Sequence, residues 1–386
     1  MAARGARLGS LGLLTLLSVG MSCIPPGEVD RALRASPVLA TEIPLERPVR
    51  ADQGEGAVVL VVLDGARWQD VFVGADPQLA AEARTAAPTA RELMPHLHAL
   101  IADRGAALGA PGHGPPISAS GPNYVSLPGY REIFQGRRAT GCADNDCGPP
   151  RDATVVDEVA DRGDAPGDAA VIASWERIER AATVDPSRLV LSAGRSRVSH
   201  AEALGDDEGT RELLDRGAHA DPFPGYGDFR PDRMTASIAL RYLETRQPRL
   251  LFLGLGEPDE YAHRGDYAGY LGSLRASDSI VGDLLAVLDR MGDRGRHTTV
   301  LITADHGRGR DYRFHGRDFP ESARVWLVAA GAGIEARGLA QSLAPHRLAD
   351  VAPTVRALLD LPPDISPLSG RPLEELLAPP ALTAMQ

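Results

Sequence analysis

Asp64 closes the apolar run VVLVVL, Asp259 follows RLLFLGLGEP, and Asp305-His306 follows TVLITA. His263 lies one helical turn beyond Asp259, so DEYAH presents both side chains toward one point, and a further imidazole, His315, follows in FHG. Three carboxylates and three imidazoles are enough donors for two divalent ions. Mixed nitrogen and oxygen donors suit zinc, with manganese or iron as alternatives, whereas calcium takes oxygen alone. Each residue alone has a plainer explanation, because a strand-end Asp commonly caps a helix and a lone His commonly hydrogen-bonds within a core. Agreement at three strand ends favours metal binding.

A pair of metals needs a group to act with, and SASGPNYVSLPGYREIFQGR offers the hydroxyls of Ser118, Ser120 and Ser126. Serine at a helix N-cap with proline in the first turn is well placed, since proline there gives up no hydrogen bond and the helix terminus favours an anion. SLPGYREIFQG fits that pattern with Ser126 as the cap and Pro128 in turn one. A helix begun at Ser120 would meet Pro128 in its interior. The plainer alternative makes Ser126 a cap and nothing more.

These residues need a scaffold. AVVLVVLDG reads as a strand buried on both faces, and RELMPHLHALIADRG as a helix through Leu93, Leu97, Leu100 and Ile101 that ends at Gly105. DAAVIAS, RLLFLGLG, HTTVLITAD and ARVWLVAAG alternate with the helical patterns PDRMTASIALRYLETR, YAGYLGSLRASDSIVGDLLAVLDRMG and LADVAPTVRALLDL. Such alternation predicts an α/β sandwich with a mainly parallel sheet, in which ligands bind beyond the carboxyl ends of the strands. Residues 138–230 are rich in Gly, Asp, Pro and Arg and read as a cap insertion on a domain spanning 56–378, with a tail over 379–386.

Composition excludes some chemistry. All 41 basic residues are arginines, so a Walker-type phosphate loop and Schiff-base chemistry lack their lysine. A formal charge of −11 argues against a general nucleic-acid binder, and no such partner is expected. Residues 1–22 read as an export signal, with Arg4 and Arg7 ahead of a short apolar run, and 23–55 as a tether. Cys23 sits where a bacterial lipoprotein is lipidated and anchored to a membrane, although Gly20 replaces the usual Leu; simple cleavage is the alternative. Cys142 and Cys147 in GCADNDCG read as a local disulfide of an exported protein, with a zinc knuckle as the rival.

Taken together, the residues resemble the alkaline phosphatase superfamily, in particular its nucleotide pyrophosphatase/phosphodiesterase-like and sulfatase-like branches. VVLVVLDGARWQDVF is similar to the first metal-ligand strand, SLPGYREIFQG to the nucleophile pattern, and GEPDEYAH, ADHG and FHG to the remaining metal motifs, in the family's order. The resemblance implies one ion held by Asp64, Ser126, Asp305 and His306, and another held by Asp259, His263 and His315. It implies a metal-dependent phosphoric ester hydrolase, a phosphatase or phosphodiesterase, acting on a small phosphorylated substrate through phosphorylated Ser126.

Two positions depart from the family pattern. Gly129 stands where the diester-cleaving branch usually has Asn, with Asn123 a candidate substitute for substrate binding, and Tyr130 stands where sulfatases need Arg. A sulfatase is therefore disfavoured. A phosphotransferase or phosphomutase, and a noncatalytic surface binding protein that retains the fold, are the alternatives. Any of Arg308, Arg310, Arg313 and Arg317 could clamp a phosphate oxygen.

Overall fold

The computed structural model describes residues 56–379 except 164–166, 200–203 and 205–207. The expected export signal, the Cys23 lipidation site, the tether and all but the first residue of the tail lie outside the described residues.

A nine-stranded sheet forms the centre. Its strands in chain order are β1 (Ala57–Leu63), β2 (Gly105–Leu108), β3 (Ala169–Ala173), β4 (Val190–Ala193), β5 (Arg197–Ser199), β6 (Leu250–Leu255), β7 (Thr298–Thr303), β8 (Leu327–Gly331) and β9 (Gly338–Leu339). In space they run β9-β2-β8-β7-β1-β6-β3-β4-β5, and the block from β7 to β4 is parallel. Every residue of β1, β6 and β7 is buried, as their unbroken apolar runs require when helices cover both faces. The flanking helices include α1 (Pro95–Arg104), α2 (Ser126–Gln135), α3 (Val155–Arg162), α4 (Asp232–Arg246), α5 (Glu257–His263), α6 (Tyr267–Arg290) and α7 (Val351–Leu358). The α/β class with a mainly parallel sheet is as the alternation predicted. No helix among the described residues is long and apolar enough to cross a membrane.

Register sets the position of the site. Leu63 pairs with Leu255 and Val62 with Thr303, so Asp64, the loop into α5 and Asp305 leave the sheet at nearly one level.

Two expectations change. Residues 138–230, expected as a cap insertion on the domain, instead supply α3, β3, β4 and β5, and these strands extend the same sheet. Its strands are short, and β3 is built largely from alanine, so their hydrophobic signal is faint. The helix expected through Leu93 to Ile101 is broken at Met94, because Pro95 has no N–H to continue it and instead starts α1. The helix ends at Gly105 as expected; Gly105 caps it in an extended conformation and opens β2.

Candidate active site

The turn after β1 carries the first donor. It is fixed from behind: Trp326 Nε1 donates to Ala66 O at 2.9 Å, and the Arg67 N–H donates to Tyr270 Oη at 3.1 Å. Gly65, at φ 60°, donates its N–H to Asp305 Oδ1 at 3.0 Å; a Cβ there would strike the Asp259 carboxylate and Arg308. The α5 donors are aimed in the same way. Asp232 accepts the N–H groups of Gly256 and Glu257 at 2.8 and 2.9 Å, satisfying the start of α5, and that helix then presents Asp259 and His263 one turn apart.

Asp64, Ser126, Asp305 and His306 converge, all buried. His306 Nε2 lies 3.5 Å from Asp64 Oδ1, 3.4 Å from Asp305 Oδ2 and 3.3 Å from Ser126 Oγ, which is itself 3.4 Å from Asp64 Oδ1. Next to them, His263 Nε2 is 3.1 Å from Asp259 Oδ2 and 2.9 Å from His315 Nε2, and His315 Nε2 is 3.7 Å from Asp259 Oδ1. His306 also borders this second group, 4.0 Å from Asp259 Oδ1. The six side chains predicted from the strand ends and Ser126 are thus brought together.

The donor set fits divalent cations. The Nδ1 atoms of His306 and His315 donate to the carbonyls of Gly307 (2.9 Å) and Tyr124 (2.8 Å), so each neutral ring turns a lone pair at Nε2 into the site. Burial keeps both rings neutral: it lowers the His306 pKa well below the ordinary value and that of His315 to about 4. Burial pushes both Asp64 and Asp305 upward; the charges of Asp305 and Asp259 add to this for Asp64, and for Asp305, raised to about 8, the charge of Asp259 adds to it against the lowering hydrogen bond from Gly65. Asp305 Oδ2 has no hydrogen-bond partner although fully buried. Buried carboxylates that repel one another and keep a free oxygen call for positive charge between them.

Asp259 differs from them. Burial raises its pKa, but Arg308, which ion-pairs with it, and then His263 and His315 outweigh that and hold it well below the usual range.

The N-terminal residues of α2 differ from expectation by one position. Val125 is the N-cap, and Ser126 is the first helical residue. Its hydroxyl makes no capping bond and so is free to face Asp64 and His306. Ser120 is spent on Glu132, donating through N (2.8 Å) and Oγ (2.6 Å), and Ser118 lies in a two-residue strand, Ile117–Ser118. Gly129 allows close packing, because any side chain there would collide with the Asp305 carbonyl.

Asn123 lies on the lip of a neighbouring cleft, where its Oδ1 accepts from Arg317 Nε at 3.1 Å. Arg308 is buried, donating to the carbonyls of Tyr312 (3.0 Å), Arg313 (2.8 Å) and Asp259 (3.2 Å), and so braces the second donor group and cannot serve as an open clamp. Arg310 points to solvent, 3.7 Å from Glu321, and Arg313 lies over the Tyr312 ring.

Two contributors were missed. Tyr130 donates to Asp64 Oδ2 at 3.0 Å; its place one turn beyond Ser126 was the available signal. Asn145 accepts the Leu127 N–H at 2.9 Å, beside the nucleophile. It sits inside the ring closed by the Cys142–Cys147 disulfide, which uses both cysteines and leaves none for a zinc knuckle. Only the chain path back to α2 reveals this contact.

A family model described as Metalloenzyme superfamily matches residues 228–363, which hold α5, β7 and five of the six donors. Among curated proteins, the chain is 28% identical over 176 residues to the 2,3-bisphosphoglycerate-independent phosphoglycerate mutase of Haloarcula marismortui, covering 44% of this chain and 31% of that protein. It is 42% identical over 79 residues to the phosphopentomutase of Shewanella pealeana, covering 20% of this chain and 17% of that protein. The chain thus spans less than a third of these relatives' length.

Solved structures match over far more of the chain. Alkaline phosphatase PafA aligns with TM-score 0.56 at 12% identity over 85% of this chain and 100% of that one. The phosphonate monoester hydrolase of Agrobacterium radiobacter aligns with TM-score 0.54 at 16% identity over 84% and 78%. BT1596, a 2-O GAG sulfatase, aligns with TM-score 0.57 at 13% identity over 83% and 74%. At these identities the likeness is one of fold.

Proposed function

We propose that the chain, whose metal-ligand segment matches the Metalloenzyme superfamily and whose fold is that of alkaline phosphatase-like proteins, hydrolyses phosphoric esters, as a phosphatase or phosphodiesterase, with Ser126 as nucleophile. The observation that carries this reading is the Ser126 hydroxyl at the start of α2, within 3.4 Å of both Asp64 and His306. Asp64, Ser126, Asp305 and His306 would hold one divalent ion, and Asp259, His263 and His315 the other, with zinc favoured by the imidazoles and manganese or iron as alternatives. When bound, such ions lower the pKa of a coordinated hydroxyl and neutralise charge on a leaving oxygen.

The chain's own groups do the rest. Tyr130 and Gly65 orient Asp64 and Asp305 through the hydrogen bonds described above, and the first turn of α2 turns its positive end toward the phosphoryl group. Ser126 Oγ attacks phosphorus, the ester oxygen leaves with its alcohol, and water then releases phosphate from the phosphoserine. Tyr130, in place of the arginine a formylglycine sulfatase needs, weighs against sulfate esters as the main substrate.

The curated relatives favour a second reading, transfer of the phosphoryl group to an acceptor as in a mutase. Assays of aryl phosphate monoester, diester, phosphonate and sulfate with added zinc or manganese test the first reading. Phosphate esters should turn over with release of phosphate or monoester; transfer to a labelled sugar without net release would favour the second. Ser126→Ala should cut turnover by at least about 10⁴-fold with metal still bound, while Ser120→Ala should retain much of it. The reverse result would overturn the nucleophile assignment.

We also propose export of the protein, which the Cys142–Cys147 disulfide and the apolar run after Arg7 support. Fractionation of the expressing cells and mass analysis at Cys23 test export and lipidation.

A further inference from the structure

Beside Ser126 lies a cleft of about 270 Å³ lined by Asn123, Tyr124, Val125, Gly129, Arg138 and Asp305 among others. One arginine, Arg138, lines it, and a second, Arg317, is tethered to its rim residue Asn123. Arg138 donates through Nε to the Gly121 carbonyl at 3.1 Å, and Arg317 donates through Nε to Asn123 Oδ1 at 3.1 Å. Both guanidinium groups are thus fixed to the same short segment, and neither spends its Nη atoms on a carboxylate among the described residues. Composition does not force this outcome, because 52 acidic residues face 41 arginines. Arg137, the immediate neighbour of Arg138, is paired with Asp152 at 2.5 Å.

The segment itself is built for close packing. Gly121 adopts φ 52°, and a Cβ there would strike the Tyr124 ring. Tyr124 in turn accepts from His315 through its carbonyl, which ties the lip of the cleft to the second donor group.

From this arrangement we infer that Arg138 and Arg317 form a subsite for a second oxyanion carried by the leaving group. The inference rests on the phosphoric ester reading and narrows it to esters whose alcohol bears its own carboxylate or phosphate. The open Nη pairs of a guanidinium match the two oxygens of either group, and side chains already held at Nε lose little freedom on binding. Arg308 cannot share the role, since it is buried and both its Nη atoms are committed to Asp259, Tyr312 and Arg313. An uncharged tail would leave both guanidinium groups without an anion at the cleft and its rim.

Calorimetric titration of the zinc-loaded protein tests this without requiring turnover. The probes are ω-carboxyalkylphosphonates and alkane-α,ω-bisphosphonates of increasing length, each compared with the alkylphosphonate of the same chain. At least one length should bind at least about tenfold tighter than its uncharged-tail partner, and the better tail, carboxylate or phosphonate, identifies the anion. In the double variant Arg138→Gln/Arg317→Gln that ratio should fall close to one, whereas Arg310→Gln, a nearby exposed arginine, should leave it intact. Equal thermal midpoints of the variants and the wild type separate loss of the subsite from loss of the fold. An absent advantage at every length, or one that survives the double substitution, would overturn the subsite even if aryl phosphates are hydrolysed. A tail advantage in a protein that turns over none of the esters would leave the subsite standing and remove the hydrolase reading.

Discussion

Two buried carboxylate clusters lie near the end of β1, and they are built on opposite plans. Asp70 receives Arg67 through two hydrogen bonds, at 2.7 and 3.0 Å, and the hydroxyls of Tyr267 and Tyr270 at 3.1 and 3.0 Å. Its charge is balanced inside the fold. Asp64 and Asp305 have no such cation in direct contact, share a neutral His306, and retain the free oxygen of Asp305. The first cluster needs nothing further, while the second needs a charge the polypeptide does not supply. Burial alone therefore does not identify a functional carboxylate; the missing counter-charge does.

The largest expected effect breaks the balanced cluster. Asp70→Asn leaves the Arg67 guanidinium buried without its anion and should lower unfolding stability by about 3–5 kcal/mol, read by denaturant melts. A loss below about 1 kcal/mol would mean that this pair does not set the turn carrying Asp64. Tyr130→Phe removes the hydroxyl that orients Asp64, which should weaken zinc binding by about 10- to 100-fold, measured by competition with a chromophoric chelator. Unchanged affinity would place Tyr130 outside the metal-binding apparatus.

A smaller effect, of opposite sign, separates the plans more sharply. In chelator-treated protein, Asp305→Asn relieves carboxylate repulsion and should raise stability by roughly 1 kcal/mol, although it weakens metal uptake. Chelated Asp305→Asn protein that melts below chelated wild type would contradict the picture of an uncompensated cluster.

The smallest effect concerns an intermediate case, in which the cation is a proton. His346 lies 3.3 Å from Asp350 Oδ2 and 3.0 Å from Glu375 Oε1, joining the start of α7 to the C-terminal segment. The Asp350 hydrogen bond, and then Glu375, raise its pKa against the effect of burial. A raised folded-state value means the contribution is complete below the unfolded value of about 6.5 and is lost as pH rises through the folded one. His346→Gln should therefore cost stability at pH 5.5, by less than about 1 kcal/mol after solvent screening, and little at pH 9. A cost that grows with pH would reverse the assignment.

The long strands were legible because a run such as AVVLVVL has no polar face to place toward water, and five donors were legible because they lie at or a few residues past the end of such a run or one turn from another donor, whereas His315, nine residues past His306, was marked only by its FHG motif. The extension of the sheet through residues 169–199 was obscured: short strands rich in alanine carry little hydrophobic contrast against the surrounding Gly, Asp and Pro. Ser126 was identifiable from its Pro128, but its exact position was not, because one residue separates a hydroxyl that caps a helix from one that faces a neighbouring carboxylate.

The chain alone determined which elements form and that three of them end in metal-binding residue types, since periodicity and strand-end chemistry are local properties. Tertiary structure decided what no local pattern encodes. Parallel register brings Asp64, α5 and Asp305 to one level, the disulfide ring carries Asn145 back to α2, and one arginine is buried against Asp259 while two others are tethered through Nε at the cleft and its rim. Each of these depends on distances between residues far apart in sequence, and charge compensation is settled only when those distances are fixed.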